Sequence, residues 1–220
     1  MLLGLAACTA RQPAEPEVPD AAPPAAILEV LQVEGFRATL PAAAAPEWYV
    51  LPERRAGDMA EHRAVRDLGE RHRVTATVVG RMAPAVAQNA FDEAVLEAPV
   101  EALPDLYAEE LAATLAAIER IAREPGSGMR VAASRVGARP AQAGAGAACV
   151  ELTQRMEAPG TQPDTPAVRL RETTYTCFHP ARRGSMVALV YGEEWYGTVG
   201  EASPLFNAEA AAFLDSLAFD

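Results

Sequence analysis

Three histidines, His62, His72 and His179, are the only side chains in this 220-residue chain whose ordinary pKa suits proton transfer near neutral pH. No two of them stand at helical ligand spacing, and there is no His-Glu-x-x-His run. A zinc site would have to assemble from distant residues, so no metal ligand is assigned. No serine occupies a Gly-x-Ser-x-Gly elbow. Gly126-Ser127-Gly128 reads as a helix-ending turn and Gly184-Ser185 as the end of a hairpin loop. Glu193-Glu194 offers adjacent carboxylates of the kind used in general acid-base work. Neighbours on a strand point to opposite faces, however, so one of the two is expected in solvent. Lysine is absent, all 19 cationic side chains being arginine, which rules out a phosphate-loop, Schiff-base or kinase-type lysine. No catalytic residue and no cofactor are assigned.

Arginine supplies the one recognisable binding chemistry. His62, Arg63, Arg66, Arg71, His72 and Arg73 crowd onto one predicted hairpin, and His179 to Arg183 form a second basic loop that carries Arg182 and Arg183. Should the two converge, they would hold a phosphate, a lipid headgroup or a glycan acid, because guanidinium groups grip such anions through paired hydrogen bonds. The alternative is a set of solvated arginines balancing an acidic surface. Trp48-Tyr49 and Trp195-Tyr196 leave a similar choice between an aromatic docking patch and ordinary packing.

The cysteines and the N-terminal residues point to a compartment. Leu5-Ala6-Ala7-Cys8 reads as a lipobox, a small-residue cleavage site before a cysteine that becomes the acylated N-terminus. Residues 1–8 are then the end of a signal peptide whose start lies further upstream. Residues 9–25 carry Pro13, Pro16, Pro19, Pro23 and Pro24 among Glu15, Glu17 and Asp20, the composition of an extended, semi-rigid tether. Thr9 is not the aspartate that lipoprotein sorting of the enteric kind uses for inner-membrane retention. The expected location is thus periplasmic, anchored through lipid to the outer membrane of a Gram-negative bacterium. With Cys8 acylated, Cys149 and Cys177 remain as a pair in a compartment that permits disulfides. A hairpin with Cys149 opposite Cys177 also sets Thr153 against Thr173 and Glu157 against Arg169, both favourable, and Arg155 against Arg171, which is not. Two free buried cysteines are the alternative.

These residues need elements to position them. Residues 26–220 suffice for one domain with its own core. The net charge of -11 argues against a nucleic-acid partner. Alternation predicts strands at 27–34 and 36–40 broken at Gly35, at 48–51, at 61–68 and 73–80 as a hairpin, at 129–136, at 147–157 and 168–178, and at 186–191. Helical spacing predicts 88–96, 104–124 with Tyr107, Leu111, Leu115, Ile118 and either Ile121 or Ala122 on one face, and 207–217. Strands, helix, strands and helix without regular alternation imply an α+β fold, a mainly antiparallel sheet covered by helices as an α/β/α sandwich.

The stretches GFRATLP (35–41), ELAATLAAIERI (110–121), CFHPARRGSMVALVYGEE (177–194) and AAAFLDSLAF (210–219) resemble the PsbP-like family. That family includes a photosystem II extrinsic subunit, a Ran-binding import factor and bacterial lipoproteins. The resemblance implies the fold over residues 27–220; it transfers no metal-cluster or partner-contact residue and no activity. The expectation is a lipid-anchored domain that acts by binding a cell-envelope protein without catalysis. The alternative is an envelope hydrolase or carbohydrate-processing enzyme with an acidic site that the sequence does not reveal.

Overall fold

The computed structural model describes residues 29–33, 35–42, 47–81, 90–124, 130–140, 148–158, 167–182, 184–196 and 203–219. The lipobox with Cys8, the tether at 9–25, Arg183 and the Pro159-Gly160 turn lie outside the described residues. In chain order the elements are β1 (Val30–Val33), β2 (Phe36–Thr39), β3 (Tyr49–Val50), β4 (Arg54–Ala56), β5 (Met59–Gly69), β6 (His72–Arg81), α1 (Ala90–Glu97), a 3-10 turn (Val100–Ala102) and α2 (Leu103–Ala122). They continue with β7 (Arg130–Pro140), β8 (Ala148–Ala158), β9 (Val168–Phe178), β10 (Met186–Tyr196), α3 (Phe206–Asp215) and β11 (Ala218–Phe219).

Eight strands build one sheet in the order β3-β5-β6-β10-β9-β8-β7, with β4 also paired to β5, and β1-β2-β11 form a small second sheet. Every strand pair is antiparallel. The architecture is therefore mixed, mostly antiparallel sheet with few helices. Sheet alternation sorts the residues onto two faces. One face carries Ala64, Val74, Ala76, Val78, Tyr175, Cys177, Val187, Leu189 and Tyr191, all buried beneath α3 and the small sheet. Glycine allows the close approach of the two sheets: a Cβ at Gly80 would stand 2.8 Å from Val33 Cγ2. Gly35, at φ +77°, makes the turn between β1 and β2 in the left-handed region that glycine enters without strain.

The other face is capped at one corner, where Val95 of α1 and Leu103 of α2 cover Phe178 and Met186. Tyr107 meets Phe178 edge to face, with ring centroids 5.9 Å apart.

Three expectations need correction. Along α2 the expected stripe is covered only shallowly: Leu103, Pro104 and Leu115 are buried, Tyr107, Leu111, Ile118 and Ala122 are half-buried and Ile121 is 46% exposed, because the helix lies chiefly along β7 and β8 at the sheet's edge. The last long strand runs on to Tyr196, which carries Glu193 and Trp195 into the sheet. The helices flank the sheet unequally, so the two outer layers are one helix with a small sheet on one side and a corner pair of helices on the other.

The cysteine hairpin has the expected register. Cys149 stands opposite Cys177, Thr153 opposite Thr173, Glu157 opposite Arg169 and Arg155 opposite Arg171. The two sulfurs are bonded at 2.09 Å, with Cα atoms 4.0 Å apart.

Candidate functional site

Under the N-terminal end of α3 the covered face turns from apolar to ionic. Along β10, Val187, Leu189, Tyr191 and Glu193 share this face at a period of two, so Glu193 enters the core in line with three apolar residues. It is fully buried. An unpaired carboxylate there would be prohibitive, and the structure supplies three donors. Arg171, directly opposite on β9, donates Nη2 at 3.0 Å to Oε2. His72 Nε2 lies 2.6 Å from Oε1, and the Ser203 backbone N–H donates to the same oxygen at 2.7 Å. Arg171 donates in turn to the Ser203 carbonyl at 3.1 Å and stacks on the Phe206 ring at 3.8 Å. Burial lowers the Arg171 pKa, and the neighbouring Glu193 opposes that shift. The pair thus grips both backbone groups of Ser203, the residue that leads into α3.

A second carboxylate repeats the device one turn along the helix. Glu209 Oε2 accepts from the Arg66 guanidinium and, at 2.7 Å, from the Tyr191 hydroxyl. Arg66, on β5, is 4% exposed and lies over the Trp48 ring at 4.7 Å. Burial first, and the bond to Glu209 second, push the Tyr191 phenol above the ordinary tyrosine range. Glu193 and Glu209 therefore fasten α3 to the sheet by ionic seams on either side of Tyr191.

The residues read as an anion site do not come together. His72 and Arg73 open β6, directly after the turn residue Arg71, and His72 pairs with Trp195 at the end of β10. His179 and Arg182 precede Met186, which pairs with Arg81 at the far end of β6. Nine residues of strand separate the two ends, about 30 Å. The expected convergence is absent because the two loops cap opposite ends of one antiparallel ladder. Individual partners also differ. Arg63 forms an ion pair with Glu61 at 2.9 Å and Arg73 with Asp67 at 2.9 Å. His62 Nδ1 accepts the Gln32 N–H at 3.2 Å. Arg71 is an exposed turn residue whose carbonyl accepts the Tyr196 N–H. His179 is buried between the Phe36 and Phe219 rings, and its Nδ1 accepts the N–H groups of Ala181 and Arg182, which shapes the β9–β10 loop. Arg182 extends over the Gly35 turn.

The aromatic pairs also divide. Trp48 is packed against Tyr191 and donates Nε1 to the Pro41 carbonyl at 3.0 Å, whereas Tyr49 is 69% exposed. Trp195 is half-buried beside His72.

Sequence reasoning missed both carboxylate clusters for one reason: no charged residue was matched to the buried apolar residues that share its face of the strand. Arg66 shares the parity of Ala60 and Ala64, Arg171 that of Tyr175 and Cys177, and Glu193 that of Leu189 and Tyr191. A charged residue at a core position of a strand is itself the signal for a buried partner of opposite sign. Among the described residues, no group of three or more His, Cys, Asp or Glu is placed to hold a metal ion. No helix among them is long and apolar enough to cross a membrane.

No family model matches the chain, and no curated protein matches it. A solved structure similar in outline is the crystal structure of LpqN of Mycobacterium tuberculosis, described as involved in cell envelope biogenesis. It is 11% identical, covers 84% of this chain and 85% of that one, and superposes with a TM-score of 0.41. Similarity at this level transfers no residue and no activity to the present chain.

Proposed function

We propose that this protein is an exported domain of the bacterial cell envelope, tethered through acylated Cys8, built on a PsbP-like plan and working by binding an envelope partner. The observation that carries the reading is the bond between Cys149 and Cys177 on directly opposed strand positions, since structural disulfides of this sort persist in oxidising compartments. Binding is favoured over catalysis by how the buried ionisable groups are spent. Glu193 is held by three donors and Glu209 by two, and both serve to fix α3 on the sheet.

One observation favours the alternative, an envelope hydrolase. His72 is oriented by a buried carboxylate and is itself 24% exposed, the arrangement of a general base. The two readings separate experimentally. Fatty-acid labelling of wild type and Cys8→Ala in the native host, with cross-linking in intact cells, tests the first. The label is expected on wild type alone, and envelope cross-links are expected to persist in His72→Asn. Unlabelled wild type in the cytosol refutes the anchored reading. Hydrolysis of isolated envelope material by wild type but not by His72→Asn refutes the binding reading.

A further inference from the structure

The face of the large sheet that α3 covers runs outward past Arg171 onto β8, where Thr153, Arg155 and Glu157 stand opposite Thr173, Arg171 and Arg169. The disulfide shows how closely such partners approach. Cys149 and Cys177 have Cα atoms 4.0 Å apart, the close, non-hydrogen-bonded kind of antiparallel pair. Pair types alternate along a ladder, so Thr153–Thr173 and Arg155–Arg171, at even steps from the cysteines, are of the same close kind. The backbone therefore sets two guanidinium-bearing side chains next to each other. Like charges so placed destabilise a sheet unless a negative charge offsets them.

The carboxylates nearby are engaged elsewhere. Glu157 reaches Arg169 at 3.4 Å, and Glu193 serves Arg171 and His72 together. Glu151, beyond the threonine pair, is not free either. Arg155 is exposed and has neither an ion pair nor a hydrogen bond among the described residues. Its cross-strand neighbour Arg171 is 8% exposed, and the Arg171 Nε–H is buried with no hydrogen-bond partner. Burial first, and the charge of Arg155 after it, lower the Arg171 pKa. In the adjoining pair the Thr153 and Thr173 hydroxyls, both half-buried, take no partner among the described residues. α3 begins beside Arg171, with Phe206 under the guanidinium at 3.8 Å and no side-chain cap at Leu205, so the helix dipole adds positive potential here. The free donors are thus a whole guanidinium fork and two hydroxyls. A carboxylate has only two oxygens to offer them, whereas a phosphate group presents three or more in a tetrahedron.

We propose that Arg155, with Thr153 and Thr173 beside it and backed by the charge of the buried Arg171, forms a binding site for a phosphate group. The bound anion offsets the repulsion that the fold otherwise leaves in place between β8 and β9. Soluble phosphate and the headgroup of an anionic phospholipid share this chemistry. The site goes beyond the envelope reading and does not depend on it.

The test uses the full chain carrying Cys8→Ala, so that no acyl group contributes to membrane binding. Inorganic phosphate is titrated by calorimetry and by thermal melting at constant ionic strength, and vesicles of phosphatidylcholine with phosphatidylglycerol are titrated in parallel by cosedimentation. Saturable binding of phosphate with a rise in Tm is expected. Arg155→Gln should weaken binding about tenfold, the worth of one hydrogen bond to a charged group, and Arg155→Lys should restore only part of it. Without phosphate, Arg155→Gln should melt no lower than wild type, because the repulsion is gone. Arg171 is left in place, since its removal would unseat α3. Arg54→Gln, exposed on β4 at the opposite side of the sheet, should leave binding unchanged. Binding to vesicles alone, lost in Arg155→Gln, would support the site and make its phosphate that of a lipid headgroup. No binding in either arm, binding that Arg155→Gln leaves intact, or acetate bound as tightly as phosphate would overturn it. So would an Arg155→Gln variant that melts below wild type in the absence of phosphate.

Discussion

Replacing Glu193 by alanine removes the acceptor shared by Arg171, His72 and the Ser203 N–H, and leaves a buried guanidinium facing an apolar gap. Breaking a buried pair in this way costs about 3–5 kcal/mol, most of it the penalty of the abandoned charge. The upper half of that range suits a carboxylate with no exposed surface. The lower half reflects what Arg171 keeps, its bond to the Ser203 carbonyl and its contact with Phe206. For a domain of this size each kcal/mol moves Tm by about 2–4 °C, so Glu193→Ala should melt roughly 6–20 °C below wild type. Urea unfolding at neutral pH with the disulfide intact gives the free energy, and calorimetry gives Tm. A double variant, Glu193→Leu with Arg171→Met, is expected to recover most of the loss, since an apolar pair of similar volume avoids the desolvation of two ions. A loss below about 1 kcal/mol for Glu193→Ala, or a coupling below about 0.5 kcal/mol in the double-mutant cycle, would refute the latch.

Reduction of the disulfide, or Cys149→Ser with Cys177→Ser, should cost about 3–4 kcal/mol on the chain-entropy model for a loop spanning 28 positions, read from paired urea curves with and without reductant. Equal midpoints would contradict this. Gly80→Ala drives a methyl group toward Val33, which is buried and cannot withdraw, and overpacking of this kind costs about 1–3 kcal/mol. Combining it with Val33→Ala should destabilise less than the two single changes together, and strict additivity would remove the contact from the account. The raised phenol of Tyr191 contributes stability that is whole below the ordinary tyrosine pKa of about 10 and is lost as the pH climbs through the higher folded value. Ultraviolet titration should therefore count the same number of phenolates in wild type and in Tyr191→Phe until alkaline unfolding begins. An extra phenolate in folded wild type would contradict it.

How far the fold was legible follows from which interactions are local. Period-two alternation located the cysteine hairpin to the residue, because only one antiparallel register sets Cys149 directly opposite Cys177. The same rule stopped β10 at Tyr191, since Glu193 and Glu194 look like the end of an apolar run. What carries the strand to Tyr196 is long-range: Arg171 from β9 and His72 from β6 neutralise and satisfy Glu193. α2 was visible from its spacing, yet its shallow burial depends on where the helix comes to rest, at β7 and β8, which no local pattern records. The supposed anion site failed for a related reason. Sequence proximity to arginine was read without the strand direction, and the ladder from His72 to Arg81 holds the two loops at opposite ends.

The state of three sulfurs in protein taken from its own cells, blocked with an alkylating agent at lysis, tests the envelope reading most directly. Mass spectrometry should find Cys149 and Cys177 joined in one cross-linked peptide, with an acylated Cys8 as the first residue. Alkylated thiols at positions 149 and 177, together with an unmodified Cys8 still preceded by Ala7, would contradict it.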